Sequence, residues 1–158
     1  MNTKDSTCFF VGHTALSQKA IERTTLRLHA EIDKLIRQGV TDFVSMGKLG
    51  FDLLAASIVI SKKQQGANVR LKFALPCRNQ DKRWSSTQKQ LCQSLQSETD
   101  EVFYLSEECD YYCTIRCVRY LTDNSAYCIY ASFYSVGEIA ETAHYAQQKG
   151  LQVINAAN

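Results

Sequence analysis

The chain has 158 residues, 45% hydrophobic and 22% charged, the size of one domain with a full core and the composition of an ordinary globular protein. Lys plus Arg (18) against Asp plus Glu (16) gives a formal charge of +2; without a basic block, composition gives no reason to expect a nucleic-acid partner. No apolar run approaches the length of a membrane span and the N-terminus lacks a signal-peptide pattern, so we expect one domain over 1–158, located in the cytoplasm.

Thr7 to Val11 is a short apolar run ended by Gly12, the pattern of a central strand. Ser17 is placed to cap a long helix to about Gln38, apolar at Ile21, Thr24, Leu28, Ile32, Leu35 and Ile36 and ended by Gly39. Thr41 to Ser45 reads as a second strand. Gly50 to about Lys63 reads as a second helix, buried through Phe51, Leu54, Ala55, Ile58 and Val59. Val69 to Leu75 is a third strand, stopped by Pro76. Ser85 or Ser86 is expected to cap a third helix packed through Leu91 and Leu95. Glu101 to Leu105 is a fourth strand, and Asp110 to Asp123 a helix with Ile115, Val118 and Leu121 on one side. Ala126 to Ala131 is a fifth strand. Ser135 is expected to cap a last helix through Ile139, Ala143 and Ala146, followed by a sixth strand, Leu151 to Asn155. Strands alternating with helices at this spacing predict an α/β fold: a Rossmann-like three-layer α/β/α sandwich around a mainly parallel sheet of about six strands. Ligands in such sheets bind at the carboxyl ends of the strands.

That rule gathers the candidate binding residues on one rim. Ser45-Met46-Gly47-Lys48-Leu49-Gly50-Phe51-Asp52 reads as strand end, glycine turn and helix start, a geometry that aims backbone N–H groups at an anion. Gly47 and Gly50 are candidates for close backbone approach and Lys48 for charge; equally, Gly50 only permits a tight turn. The turn is neither a GxGxxG fingerprint nor a P-loop. Asp52 is a candidate for a ligand hydroxyl or base, or for holding the neighbouring loop. His13 is a candidate for base or ribose contact or proton transfer, Gly12 precedes it, and Gly137 opens a second strand-to-helix turn in which Glu138 would oppose an anion. Arg116 and Arg119 are candidates for phosphate, with Asp123 a possible partner for either. Trp84, Tyr111, Tyr112, Phe133 and Tyr134 are aromatics for stacking a base or for packing.

The seven cysteines, Cys8, Cys77, Cys92, Cys109, Cys113, Cys117 and Cys128, are read as reduced thiols, since their number is odd and no secretory signal precedes them. Cys109, Cys113 and Cys117 fall at i, i+4, i+8. On one helix they would span about 12 Å, too far for a single tetrahedral ion, and no CxxC pair exists, so no metal is expected. No cofactor is implied.

Placed together, Cys8-Phe9-Phe10-Val11-Gly12-His13, the turn from Ser45 to Ala56, Ala74-Leu75-Pro76-Cys77-Arg78-Asn79-Gln80 with Trp84, and Arg119-Tyr120-Leu121-Thr122-Asp123 resemble the YpsA-like family of the SLOG superfamily, essentially end to end. The resemblance implies a Rossmann-like fold related to the DprA and LOG proteins and binding of a nucleotide-derived ligand. It matches Gly12, His13, Gly47, Gly50, Asp52, Gln80, Trp84, Cys113, Arg119, Asp123, Gly137 and Thr142 to family positions. The chain departs from the family at Thr14, where an arginine is usual, at Met46 and Lys48 around Gly47, at Cys117-Val118 before Arg119, and at Glu138-Ile139 after Gly137. Several cationic contacts worth about 1.5–3 kcal/mol each are thereby absent. Either Lys48 compensates, the ligand differs, or the site is degenerate. The PGGxGTxxE motif of the LOG enzymes is absent, so their activity does not carry over.

The expected function is binding of a nucleotide or nucleotide-derived small molecule through Gly12, His13, Gly47, Lys48, Gly50, Asp52, Trp84, Arg119 and Gly137. Whether chemistry follows is open. One alternative is a hydrolase acting on an N-glycosidic or phosphate bond, with Asp52 and Glu138 as the carboxylates. The other is an assembly domain, a homodimer or higher homo-oligomer formed through the cysteine-tyrosine helix face.

Overall fold

A computed structural model describes residues 3–157. After a 3-10 turn at Thr3–Ser6, strands and helices alternate: β1 (Thr7–Gly12), α1 (Gln18–Arg37), β2 (Asp42–Ser45), α2 (Phe51–Gln64), β3 (Arg70–Leu75), α3 (Ser86–Gln96), β4 (Glu101–Tyr104), α4 (Cys113–Asp123), β5 (Tyr127–Ala131), α5 (Glu138–Gln148) and β6 (Gln152–Asn155). The six strands form one parallel sheet in the order β4-β3-β2-β1-β5-β6. This is the α/β, Rossmann-like sandwich that the alternating pattern predicts.

The two faces of β1 show why it is apolar throughout. Cys8 and Phe10 point into one core with Leu28, Ile32 and Leu35 of α1, Phe51 to Ile60 of α2 and Cys92 of α3. Phe9 and Val11 point into the opposite core with Cys117, Val118 and Leu121 of α4 and Ala146 of α5. Strands covered on both sides cannot alternate apolar with polar. Helices α1 to α3 therefore lie on one face and α4 and α5 on the other. The connections leave β1 and β5 toward opposite faces, which makes their carboxyl ends the topological switch point, the crevice where such sheets take ligands.

Local signals set most boundaries. Ser17 caps α1 by accepting the Ala20 N–H, and Ser85 with Gln88 forms a reciprocal capping box on α3. Four expectations differ. Leu91 is exposed, and α3 packs through Cys92 and the half-buried Leu95 instead. Ile115 is exposed, and Cys117 takes the inward position on α4. The segment at 110–112 is a turn rather than helix, because the Asp110 carboxylate accepts the Tyr112 N–H and draws Arg116 to itself. Ser135 does not cap α5: the helix starts after Gly137, and the preceding turn is stitched by Ser132, whose hydroxyl meets the backbone of Tyr134.

At the amino end of the sheet Asp42 is fully enclosed, yet well partnered. Arg70 donates to both its oxygens, Lys72 lies 3.1 Å away, and Thr41 donates a hydroxyl. Burial works to raise its pKa, but the hydrogen bonds from Lys72 and Arg70 outweigh burial and hold it below the usual value. A depressed carboxylate contributes stability that is present above its unfolded value, about 3.9, and lost as pH falls through the folded one. Asp42→Ala should cost about 2–4 kcal/mol in urea unfolding near neutral pH, since it strands Lys72 and Arg70 at the sheet. The deficit relative to the parent chain should shrink as the pH is lowered below about 4.

Candidate functional site

The site begins where β2 runs out. Ser45 is buried, and its hydroxyl donates to the Asp52 backbone carbonyl (3.1 Å) while accepting the Gly47 N–H (3.0 Å). This closes the chain into a tight turn between β2 and α2. Gly50 sits at φ +80, where a side chain is disfavoured. A Cβ there would meet the carbonyl oxygens of His13 and Thr14 at 2.5 Å. The next residue locks the same junction: the Phe51 N–H donates to the His13 carbonyl at 3.0 Å, and a Cβ on Gly12 would collide with the Phe51 ring. The bare faces of Gly12, Gly47 and Gly50 are therefore turned on protein: Phe51, Leu75, and the His13–Thr14 backbone respectively. Gly137 differs, with φ +110 and open space beside it.

Beneath this junction lies Asp52, 1% exposed. Neither carboxylate oxygen has a hydrogen-bond partner. Burial pushes its pKa up to about 7, and the nearby Lys48 ammonium and the N–H groups of Lys48 and Gly12, which lie close without reaching hydrogen-bond geometry, only partly offset this. The buried Nε2 of His13 is likewise without a partner. The His13 ring stacks on Phe133 (5.8 Å, 19°) and meets Tyr134 edge-on, bridging the loops after β1 and β5. Lys48 reaches across the sheet end and donates to the Thr114 hydroxyl at 3.1 Å. Thr114 also lines a cleft of about 510 Å³ between α4 and α5, with Tyr111, Arg119, Glu138, Thr142 and Tyr145. The Arg119 guanidinium lies 6.0 Å from the centre of the Tyr145 ring.

His13, Lys48, Gly50 and Asp52 thus come together at the ends of β1 and β2, and Arg119 joins the adjoining cleft next to the α5 start at Gly137. Trp84 does not join them. It packs against the core under α2 and α3 beside Cys77 and Gln96, on the opposite face of the sheet from the cleft. The five rim aromatics separate into three places, since Tyr111 and Tyr112 contact each other and Phe133 and Tyr134 contact His13. Arg116 pairs with Asp110 (2.9 Å), not with Asp123.

The cysteine stripe is also broken. Cys109 precedes α4, and its sulfur is joined to that of Cys77, so two of the seven thiols expected to be reduced are paired as a disulfide. Cys117 is buried, donates to the Ala74 carbonyl, and is pushed up to about 12 by desolvation. Thr114 as the Lys48 partner and Tyr145 under Arg119 carry no mark in the sequence; both follow from how α4 and α5 lie on the sheet.

A parallel sheet with helices on both faces, and a tight turn after its second strand at the switch-point rim, defines a Rossmann-like α/β protein. The YpsA family model, described as the YspA SLOG family, matches residues 14–149, and the chain belongs to that family. A comparison with curated proteins finds no match. Among solved structures, the fold is similar to DNA processing protein A from Helicobacter pylori, a structure that concerns a single-stranded DNA binding mode. The TM-score is 0.65 at 15% identity, over 95% of this chain and 64% of that one. DNA processing protein A from Streptococcus pneumoniae matches with TM-score 0.59 at 11% identity, over 98% of this chain and 60% of that one. The chain therefore spans less than two thirds of either protein. No described helix is long and apolar enough to cross a membrane.

Two outcomes follow from the junction. Gly50→Ala should cost about 3 kcal/mol or more by chemical denaturation, because strain at positive φ adds to the clash with two carbonyls. The raised Asp52 carboxyl has the opposite sign to Asp42: its contribution is fully present below the unfolded value and lost as pH rises through about 7. Asp52→Asn should therefore match the parent chain near pH 3, already exceed it between pH 4 and 7, and exceed it near pH 9 by up to about 4 kcal/mol, in melting curves taken across pH.

Proposed function

We propose that the rim formed by the ends of β1 and β2 and the α4–α5 cleft binds a nucleotide-derived small molecule. The observation that carries this reading is the pair of buried, unpartnered polar groups at the ends of β1 and β2: the Asp52 carboxylate, beside Lys48, and His13 Nε2. Groups left unpaired at such depth are destabilising and are retained where something else satisfies them. The cleft volume falls within the 300–1,000 Å³ range of small-molecule sites.

Charge orients the ligand. Glu138 and Glu141 occupy the first turn of α5 and already complement its dipole, so that helix start is poorly suited to phosphate. Lys48 and Arg119 are the cations that would receive it. Tyr111 and Tyr145 would flank the nucleoside part. The Lys48–Thr114 bond gives way to a Lys48–phosphate contact when the ligand enters.

Melting curves with nucleoside mono- and diphosphates, ADP-ribose and a short single-stranded DNA test this. A binder present at 100 times its Kd stabilises the fold by about 2.7 kcal/mol. Lys48→Ala should weaken that ligand by about 10–100-fold, as loss of a charged hydrogen bond does. No shift with any small molecule, in a protein that melts cooperatively, overturns the proposal. A shift with DNA alone would move the chain to the binding mode of its structural neighbour.

A carboxyl group with its pKa near 7 also favours a second reading, a hydrolase in which Asp52 takes or gives the proton. Chromatography after incubation with the same compounds distinguishes it. Turnover abolished by Asp52→Asn supports catalysis, whereas binding without turnover leaves a binding module.

A further inference from the structure

The loops after β3 and before α4 meet on the rim, and they bring three sulfurs to one point. Cys77 lies two residues past the end of β3, Cys109 is in the loop before α4, and Cys113 opens α4 itself. The three sulfur atoms all lie within 4.8 Å of one another. Several contacts hold the two loops in this relation. The Cys109 N–H donates to the Asn79 side chain at 3.1 Å. Arg78 pairs with Glu107 at 2.7 Å and lies 4.3 Å from the centre of the Tyr104 ring. Cys77 and Cys113 are buried while Cys109 is exposed.

We propose that the protein in its dithiol form binds one zinc ion through Cys77, Cys109 and Cys113. Three thiolates make a soft donor set that selects zinc or a similar thiophilic ion over magnesium or calcium. Three protein ligands with a solvent-facing fourth position is a recurrent zinc arrangement. Tetrahedral zinc with bonds of about 2.3 Å needs sulfurs about 3.8 Å apart, a spacing inside the 4.8 Å that bounds the three here. Cys117 is excluded, since its sulfur turns inward to the Ala74 carbonyl.

The disulfide state and the metal state exclude each other. The Cα atoms of Cys77 and Cys109 are 5.2 Å apart, inside the ordinary range for a bridge. Oxidation consumes two of the three ligands. Reduction by two molecules of a small thiol such as glutathione breaks the S–S bond, gives two protein thiols and leaves one small-molecule disulfide. Zinc then displaces the thiol protons to solvent.

The full-length chain, reduced and freed of reductant under anaerobic conditions, is titrated with zinc against a chromophoric chelator, and separately with cobalt while the near-ultraviolet thiolate-to-cobalt band is followed. One metal per chain is expected. Cys113→Ser should weaken binding by at least about tenfold, since even loss of a supporting partner costs 10–100-fold. Cys117→Ser should leave it unchanged, and prior oxidation of the wild-type chain with diamide should abolish it. The proposal is overturned if the reduced, folded wild-type chain takes up no stoichiometric metal, if Cys113→Ser binds as tightly as the wild-type chain, or if the oxidised chain binds equally well. The cobalt spectrum of the wild-type chain decides the matter even where a variant fails to fold.

Discussion

The contact on which the rim depends is the approach of two backbones at the end of β1. The turn after β2 presses Gly50 onto the carbonyls of His13 and Thr14, and the Phe51 N–H bonds to the first of them. Phe51 then has room for its ring only because Gly12 has no Cβ. With the first residue of α2 fixed in this way, the next one, Asp52, must point into the sheet end rather than to water. The burial of that carboxylate and the reach of Lys48 toward Thr114 follow. The glycines of this turn therefore act by making two chain segments touch.

The sheet carries two enclosed carboxylates at opposite ends, and their circumstances differ sharply. Asp42 at the amino end has guanidinium, ammonium and hydroxyl donors and is held ionised. Asp52 at the carboxyl end has none in bonding geometry and is pushed toward its neutral form. Desolvation works to raise both; what distinguishes them is how many donors the neighbouring strands supply. The well-satisfied end adds to the stability of the charged form, and the unsatisfied end subtracts from it.

Much of the architecture was legible because it is written locally. The apolar run at β1, the caps at Ser17 and Ser85, and the glycines closing α1 and α5 each state an element boundary through nearby residues. The alternation of strands and helices put the turn from Ser45 to Asp52 at the carboxyl ends of the strands, where it lies. What escaped depends on contacts distant in sequence. Cys77 and Cys109 are separated by 32 residues, and nothing in the cysteine spacing indicates that the β3 and α4 loops meet. Helical spacing drew Cys109 onto α4, whereas Asp110 spends its carboxylate on a turn and delays the helix to Cys113. Trp84 looked like a rim aromatic because its loop leaves the carboxyl end of β3, but the loop folds back under α3. Leu91 and Ile115 show the same limit: apolar residues one position off the inward stripe stay in water when a cysteine fills the core instead.

The His13, Phe133 and Tyr134 rings span the gap between the β1 and β5 loops and so tie the two sides of the switch point together. On the other side, toward α4, the Lys48 ammonium donates to the Thr114 hydroxyl. The turn that buries Asp52 is thus tethered on one flank by stacked rings and on the other by a single polar bond.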